Sequence, residues 1–134
     1  MDHQFTTLLQ ENRSGYLASI DDGQPRVRPF EFQFFDSGRL WFGTSNKKKI
    51  FAQLTQDPRI EFSTTSKEMV TVRVRGKVLF TDDRAVKEKI LATNQLIRSI
   101  YKSADNPVFE VFSMEHGDVI ISDFSGNPPR EFAF

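Results

Sequence analysis

The sequence predicts a mainly β domain, in which antiparallel strands with inserted helices close as a barrel or a sandwich. Three observations point there. Apolar and polar residues alternate with a period of two, as Val70, Val72, Val74, Val78 and Phe80 do against Thr71, Arg73, Arg75 and Lys77. Turn pairs such as Asp22-Gly23 join neighbouring runs tightly enough for hairpins. Helical spacing is confined to a few short stretches, so the strand–helix alternation of a parallel βαβ sheet is missing. The 134 residues make one domain, 1–134, without repeat, linker or low-complexity segment.

Taken in order, Phe5, Leu8 and Leu9 predict a short N-terminal helix ending near residues 12–15. Residues 15–20 read as a strand, Asp22-Gly23 as its turn, and 24–35 as a second strand. In that strand Arg28, Phe30, Phe32 and Phe34 share one face, and Val27, Pro29, Glu31 and Gln33 the other. Asp36-Ser37-Gly38 leads into a third strand, 39–44. Trp41 and Phe42 face opposite ways there, one toward the core and the other toward an interface or a ligand wall. Residues 46–56 turn helical through Ile50, Phe51 and Leu54, with Ser45 or Asn46 as N-cap, until Asp57-Pro58 stops them. Residues 59–65 and 69–81 return to strands, and Gly76 marks a bulge or a close backbone approach. Thr81 or Asp82 caps the next helix, whose stripe of Val86, Ile90 and Leu91 continues past Asn94 as Leu96, Ile97 and Ile100. Residues 108–114 and 118–124 form closing strands around a turn at 115–117. Residues 126–129 then end regular structure, leaving a short tail.

Lys plus Arg number 18 and Asp plus Glu 18, which argues against a bulk polyanionic partner such as nucleic acid or an anionic membrane. The balance is uneven along the chain. Residues 1–102 hold 17 basic and 12 acidic side chains, and 103–134 hold 1 and 6, so a body of +5 precedes an acidic segment of −5. The absence of cysteine excludes disulfides and thiolate chemistry, and His3 and His116 alone exclude a histidine-rich metal site. No signal-peptide pattern or membrane-spanning run is visible, and a cytoplasmic protein is expected. Neither a Gly-x-Ser-x-Gly elbow, a His-Glu-x-x-His pair, a phosphate loop nor any Gly-x-Gly occurs.

Two segments break local rules. Thr44-Ser45-Asn46-Lys47-Lys48-Lys49 places three lysines where a helix begins, against the helix dipole. It reads either as a solvated surface run or as an anion site, in which an anion on the free N–H groups would compensate. Gln24-Pro25-Arg26-Val27-Arg28-Pro29-Phe30-Glu31-Phe32 places Pro29 inside a strong strand. It reads either as a guarded edge strand or as a flat wall against which a ligand lies.

Together with Gly38-Arg39-Leu40-Trp41-Phe42-Gly43, with Asp57-Pro58-Arg59-Ile60 and with Val72-Arg73-Val74-Arg75-Gly76, in this order and spacing, these segments resemble the pyridoxamine 5′-phosphate oxidase-like family. The resemblance runs from about residue 8 to residue 132 and includes the small nitroimidazole-resistance-like members. It implies a six- to seven-stranded antiparallel split β-barrel, homodimeric, with FMN at the dimer interface. Arg26, Val27, Arg28, Pro29, Phe30 and Glu31 would line the isoalloxazine edge and ribityl chain. Thr44 and Ser45 would bond the phosphate, with Lys48 neutralising it and Lys49 or Lys47 as the alternatives. Thr71 would contact the flavin as a polar residue on the partner strand. Arg26 and Arg28 are candidate donors to the flavin N1–C2 edge, and alternation is expected to turn one of them to the cofactor.

The family's oxidase carries a C-terminal Arg-x-His signature, whereas this chain has Arg130 with no histidine near it, which counts against pyridoxal phosphate synthesis. The resemblance therefore implies an FMN-dependent oxidoreductase with a small-molecule electron donor and acceptor, its catalytic residues unassigned. A non-catalytic flavin-binding module is the alternative. An oligonucleotide-binding β-barrel, using Arg73, Arg75 and Lys77 beside phenylalanines, is a third reading that the zero net charge disfavours.

Overall fold

A computed structural model describes residues 3–134, the side chain of His3 excepted. Helix α1 (His3–Glu11) precedes the hairpin β1 (Ser14–Asp21) and β2 (Gln24–Glu31), then β3 (Phe34–Asp36) and β4 (Arg39–Ser45). Helix α2 (Lys49–Gln56) leads to β5 (Arg59–Thr65), β6 (Thr71–Lys77) and β7 (Leu79–Thr81). Helices α3 (Arg84–Thr93) and α4 (Gln95–Tyr101) follow, then β8 (Phe109–Met114), β9 (Gly117–Ser122) and β10 (Arg130–Ala133). The strands form two antiparallel sheets, a six-stranded one in the order β10-β9-β6-β5-β1-β2 and a four-stranded one in the order β3-β4-β8-β7.

This mainly β, antiparallel architecture agrees with a split barrel, but the ten strands exceed six or seven because two expected strands are each bent in two and the C-terminal tail adds β10. Residues 24–35 break after Phe32, whose N–H still bonds in register with β1 to Arg13 O (2.8 Å), whereas Gln33 N–H turns to Trp41 O (3.0 Å). Residues 69–81 break at Val78, whose N–H donates to Pro58 O (2.9 Å). At each break the chain passes from the six-stranded sheet to the four-stranded one. The bends therefore join the sheets at two corners around a core that takes Leu17, Phe62, Val74 and Val119 from one sheet and Leu40, Phe42 and Phe112 from the other.

The first bend shifts the alternation by one residue. Phe32 and Phe35 face that core, while Phe34 joins a second cluster with Trp41, Val86, Ile90, Tyr101, Phe109 and Val111. Trp41 is consequently buried beneath α3 and α4, not placed at an interface or ligand wall, and its Nε1 donates to Asp36 O (3.2 Å). The expected continuation of the α3 stripe holds only for Ile97, which packs against this second cluster. Asn94 caps a separate helix by accepting from Ile97 N–H (3.0 Å), and Leu96 and Ile100 face solvent.

Other boundaries move for equally local reasons. Asp83, not Thr81 or Asp82, caps α3 by accepting from Val86 N–H (3.1 Å). Helix α2 starts three residues later than expected, because Asn46 turns its amide to Pro107 O and Glu110 Oε2 (2.9 Å each), and Lys48 takes the N-cap position without a side-chain bond. Regular structure does not end at 126–129. Gly126, at φ +88°, helps return the chain as β10, which pairs along β9 from Arg130↔Ile121 to Ala133↔Asp118.

Gly76 resolves as a close approach. It lies opposite Gly117, and a Cβ there would stand 2.6 Å from His116 O and 3.0 Å from Met114 Sδ. Gly76→Ala is expected to cost about 1–3 kcal/mol through that overlap, and Phe42→Ala about 3–5 kcal/mol through the cavity left behind. Urea unfolding with an unchanged m-value would register both as a lower midpoint.

Candidate functional site

The β1–β2 turn places Asp22 (φ 49°) and Gly23 (φ 80°) both in the left-handed region, as a type I′ hairpin requires. The resulting register sets Leu17 against Arg28 and Ser19 against Arg26 on one face, and Tyr16 against Pro29, Ala18 against Val27 and Ile20 against Pro25 on the other. Strand β2 ends the six-stranded sheet, so its second edge has no strand neighbour. Arg26 and Arg28, two residues apart, share the face turned toward α2. The expectation that only one of them could point at a ligand fails on that parity.

A cleft of about 450 Å³ opens between β2 and the start of α2. Arg26, Val27, Arg28, Pro29 and Phe30 line one side, Lys48, Lys49, Ile50 and Gln53 the other, and Asp21 the rim. Its charge is one-sided. Arg26 pairs with Asp21 (3.3 Å), but among the described residues Arg28, Lys48 and Lys49 meet no carboxylate. Arg28 donates instead to Ser19 Oγ (2.9 Å), Gln53 Oε1 (2.8 Å) and Leu17 O (3.3 Å). Burial draws its pKa below the ordinary arginine value. No acidic residue occupies the first turn of α2. Such an arrangement of donors and uncompensated positive charge favours an anion.

The fold coincides with that of known proteins. A family model described as pyridoxamine 5′-phosphate oxidase matches residues 1–120. The chain belongs to that family. Among solved structures, a NimC/NimA family protein from Clostridium acetobutylicum is 34% identical, with a TM-score of 0.87 over 96% of this chain and 88% of that one. General stress protein 26 from Bacillus anthracis (17% identity, TM-score 0.81, covering 99% and 100%) and an F420 reductase (21%, 0.62, covering 84% and 93%) share the fold. No curated protein matches the sequence.

Within this member of the pyridoxamine 5′-phosphate oxidase family, Arg26 to Phe30 converge with Lys48 and Lys49 at one cleft, and the other expected site residues lie elsewhere. Glu31 accepts from Asn94 Nδ2 (2.6 Å) and Gln33 Nε2 (3.3 Å), bracing the β2–β3 bend. Thr44 and Ser45 diverge, as successive strand residues must. Thr44 is buried and its Oγ1 has no hydrogen-bond partner, whereas Ser45 Oγ accepts from Lys47 N–H (3.1 Å) and holds the turn before α2. Thr71 shares a hydroxyl bond with Thr65 (2.9 Å), three strands away from β2.

Ser19 and Gln53 are the site residues that sequence reasoning missed. The signal available for Gln53 was a polar residue between Ile50 and Leu54 on the buried face of α2. A hollow of about 550 Å³ among Phe5, Phe35, Phe132 and Phe134 is larger, but it carries only the exposed Glu115 and His116 and none of the cationic character of the cleft. Among the described residues no group of His, Asp and Glu is arranged to hold a metal, and no helix is long and apolar enough to cross a membrane.

Asp57 closes α2 by donating its backbone N–H to Gln53 O (2.8 Å), while its carboxylate accepts from Arg59 Nη2 (2.7 Å) and Nε (3.0 Å). Those side-chain bonds, and a backbone bond from Arg59, hold its pKa at about 2 instead of 3.8. A depressed carboxylate stabilises the fold fully above 3.8, and that contribution is lost as pH falls through about 2. Asp57→Asn should therefore lower stability above pH 3.8 and flatten the profile between pH 3.8 and about 2, the two proteins converging below that, as followed by acid unfolding with circular dichroism.

Proposed function

We propose that this chain binds FMN in the β2–α2 cleft and acts as a flavin-dependent oxidoreductase. The observation that carries the reading is an edge-strand wall that bears Arg28 and faces Lys48 and Lys49, three cations that lack a carboxylate partner among the described residues. The donor set fits the group. Lys48 and Lys49, at the start of α2, would hold the phosphate, and the Arg26–Phe30 strand would support the isoalloxazine ring, with Arg28 donating to its electron-rich edge. None of the lining side chains is the His, Cys, Met or Tyr that ligates haem iron, which favours flavin over haem.

Bound flavin supplies the hydride chemistry. This chain supplies charge, orientation and a wall; Asp21, held by Arg26, is the single carboxylate at the cleft among the described residues. Arg130 stands on β10, at the opposite edge of the six-stranded sheet from β2, and lies apart from this cleft, which supports a substrate other than pyridoxamine phosphate. Arg73 and Arg75 are engaged by Glu61 and Asp118, which counts against the oligonucleotide reading.

The outer face of β1 and β2 presents Tyr16, Ala18, Ile20, Pro25, Val27 and Pro29 side by side, with Tyr16 61% and Val27 70% exposed. An apolar strip of this kind on a soluble chain suits a second copy. We assign the homodimer contact to it, and the cytoplasm as the compartment.

Purified protein titrated with FMN should acquire a bound-flavin visible spectrum at micromolar concentration; no uptake removes the proposal, and uptake without NAD(P)H-driven reduction of any acceptor reduces it to a binding module. Lys48→Gln combined with Lys49→Gln should weaken FMN roughly tenfold to a hundredfold, the loss of about 1.5–3 kcal/mol in charged hydrogen bonds. Riboflavin should change less than about twofold, since it lacks the phosphate those bonds engage. Tyr16→Glu should shift the gel-filtration peak from dimer to monomer.

A further inference from the structure

Gln53 lines the cleft yet is only 9% exposed. Its Oε1 accepts from Ser19 Oγ (2.7 Å) and from Arg28 Nη2 (2.8 Å), and Ser19 Oγ in turn accepts from the same Nη2 (2.9 Å). A guanidinium can only donate, so the amide oxygen, not the nitrogen, must face Arg28, and chemistry alone fixes the orientation of the Gln53 amide. Its Nε2 has no hydrogen-bond partner among the described residues, which leaves two N–H bonds available on the cleft side.

The partners of Arg28 are a hydroxyl, an amide oxygen and a carbonyl, all neutral. A partly buried arginine ordinarily secures a carboxylate, because pairing repays part of the cost of leaving water. A glutamate at position 53 would reach the same two donors and cancel the charge. The chain has glutamine there, which retains both hydrogen bonds and leaves the cation uncompensated.

We propose that Gln53 is a positioning residue whose neutral amide fixes the Arg28 guanidinium against the cleft without quenching its charge. Arg28 then acts on the bound ligand as a full cation, favouring a ligand that carries or gains negative charge. The proposal rests on the reading that the cleft takes FMN. With flavin bound, Arg28 stabilises the anionic reduced form over the neutral oxidised form, and Gln53 maintains that preference.

The test compares wild type, Gln53→Glu and Gln53→Met by FMN fluorescence titration, by the midpoint potential of the bound flavin and by thermal melting. Gln53→Glu keeps both acceptor contacts, adds an ion pair and should melt no lower than wild type. It should nevertheless bind FMN at least tenfold more weakly, and lose about tenfold of its preference for reduced over oxidised flavin, a fall of about 30 mV for a two-electron couple. Gln53→Met, which frees Arg28 but leaves it charged, should lose less on both measures. A purely structural role predicts the opposite order, with glutamate equal to wild type and methionine worse, and that result overturns the proposal.

Should Gln53→Glu not fold, Arg28→Met decides the matter. It must reproduce the lowered potential, and an unchanged potential overturns the proposal. Wild type that takes up no FMN overturns the underlying reading instead, so the two failures are distinct.

Discussion

Phe42 lies 5.3 Å from Phe112, stacked at 14°, 5.4 Å from Phe62, and 5.9 Å from both Phe30 and Phe32. Those rings belong to β4, β8, β5, β2 and the first bend, so one buried side chain holds both sheets in register. Aromatic pairs at such separations gain roughly 0.5–1.5 kcal/mol each beyond the area they bury. The site depends on the same contact. Phe30 shares a strand face with Arg28 and Arg26, and its packing against Phe42 and Phe112 determines which way that face turns. A slip of one residue along β2 would move both arginines to the outer face and Val27 and Pro29 to the inner one. The cationic cleft is therefore a consequence of core packing: Phe30, packed against the core, and the buried core residue Ile50 both line it.

The readable parts of this sequence were those in which a residue contradicts its neighbourhood. Pro29 within a strand and lysines at a helix start each break a local rule, and both segments meet at the cleft. Gly76 stands alone in a valine-rich run and marks a close approach. What stayed hidden has a common physical cause, since a strand that turns a corner remains locally extended. The run of phenylalanines from Phe30 to Phe35 stays apolar on either side of the bend, so the one-residue shift at Phe32 and Gln33 leaves no trace in the pattern. Strand β10 is too short to show a period, and the two prolines before it read as a stop. Neither Trp41 nor Phe42 leaves the apolar interior as expected, because the four-stranded sheet is covered on both faces, with a second apolar cluster beneath α3 and α4. Gln53 gave only a faint signal, because glutamine is an ordinary helix residue until the strand opposite it is known.

The charge imbalance along the chain resolves within the fold. Glu115 pairs with Arg39, Asp118 with Arg75, and Asp105 with Arg84, so acids of the last third neutralise bases of the body. The acidic segment supplies β8, β9 and β10, and three of its six acids are engaged by bases of the same chain. Arg28, Lys48 and Lys49 are among the cations left without a carboxylate after this pairing, and these three converge on the cleft. Net charge excluded a bulk polyanion; the pattern of pairing locates where a single anion would be welcome.

The prolines of β2 carry one more implication. In a hairpin closed by a two-residue turn, the closing pair Asp21–Gln24 is hydrogen-bonded, so alternate residues from Gln24 onward bond to β1 and those between them direct their backbone groups to the open edge. Pro25 and Pro29 both fall on open-edge positions. Their missing N–H groups cost the sheet nothing, yet they remove the donors that an incoming strand would need for an unbroken ladder. An eight-residue edge that would otherwise template fibrous growth is thereby closed to another β-strand. It stays open to a flat molecule that needs a surface to lie on and makes no demand for a continuous row of amides.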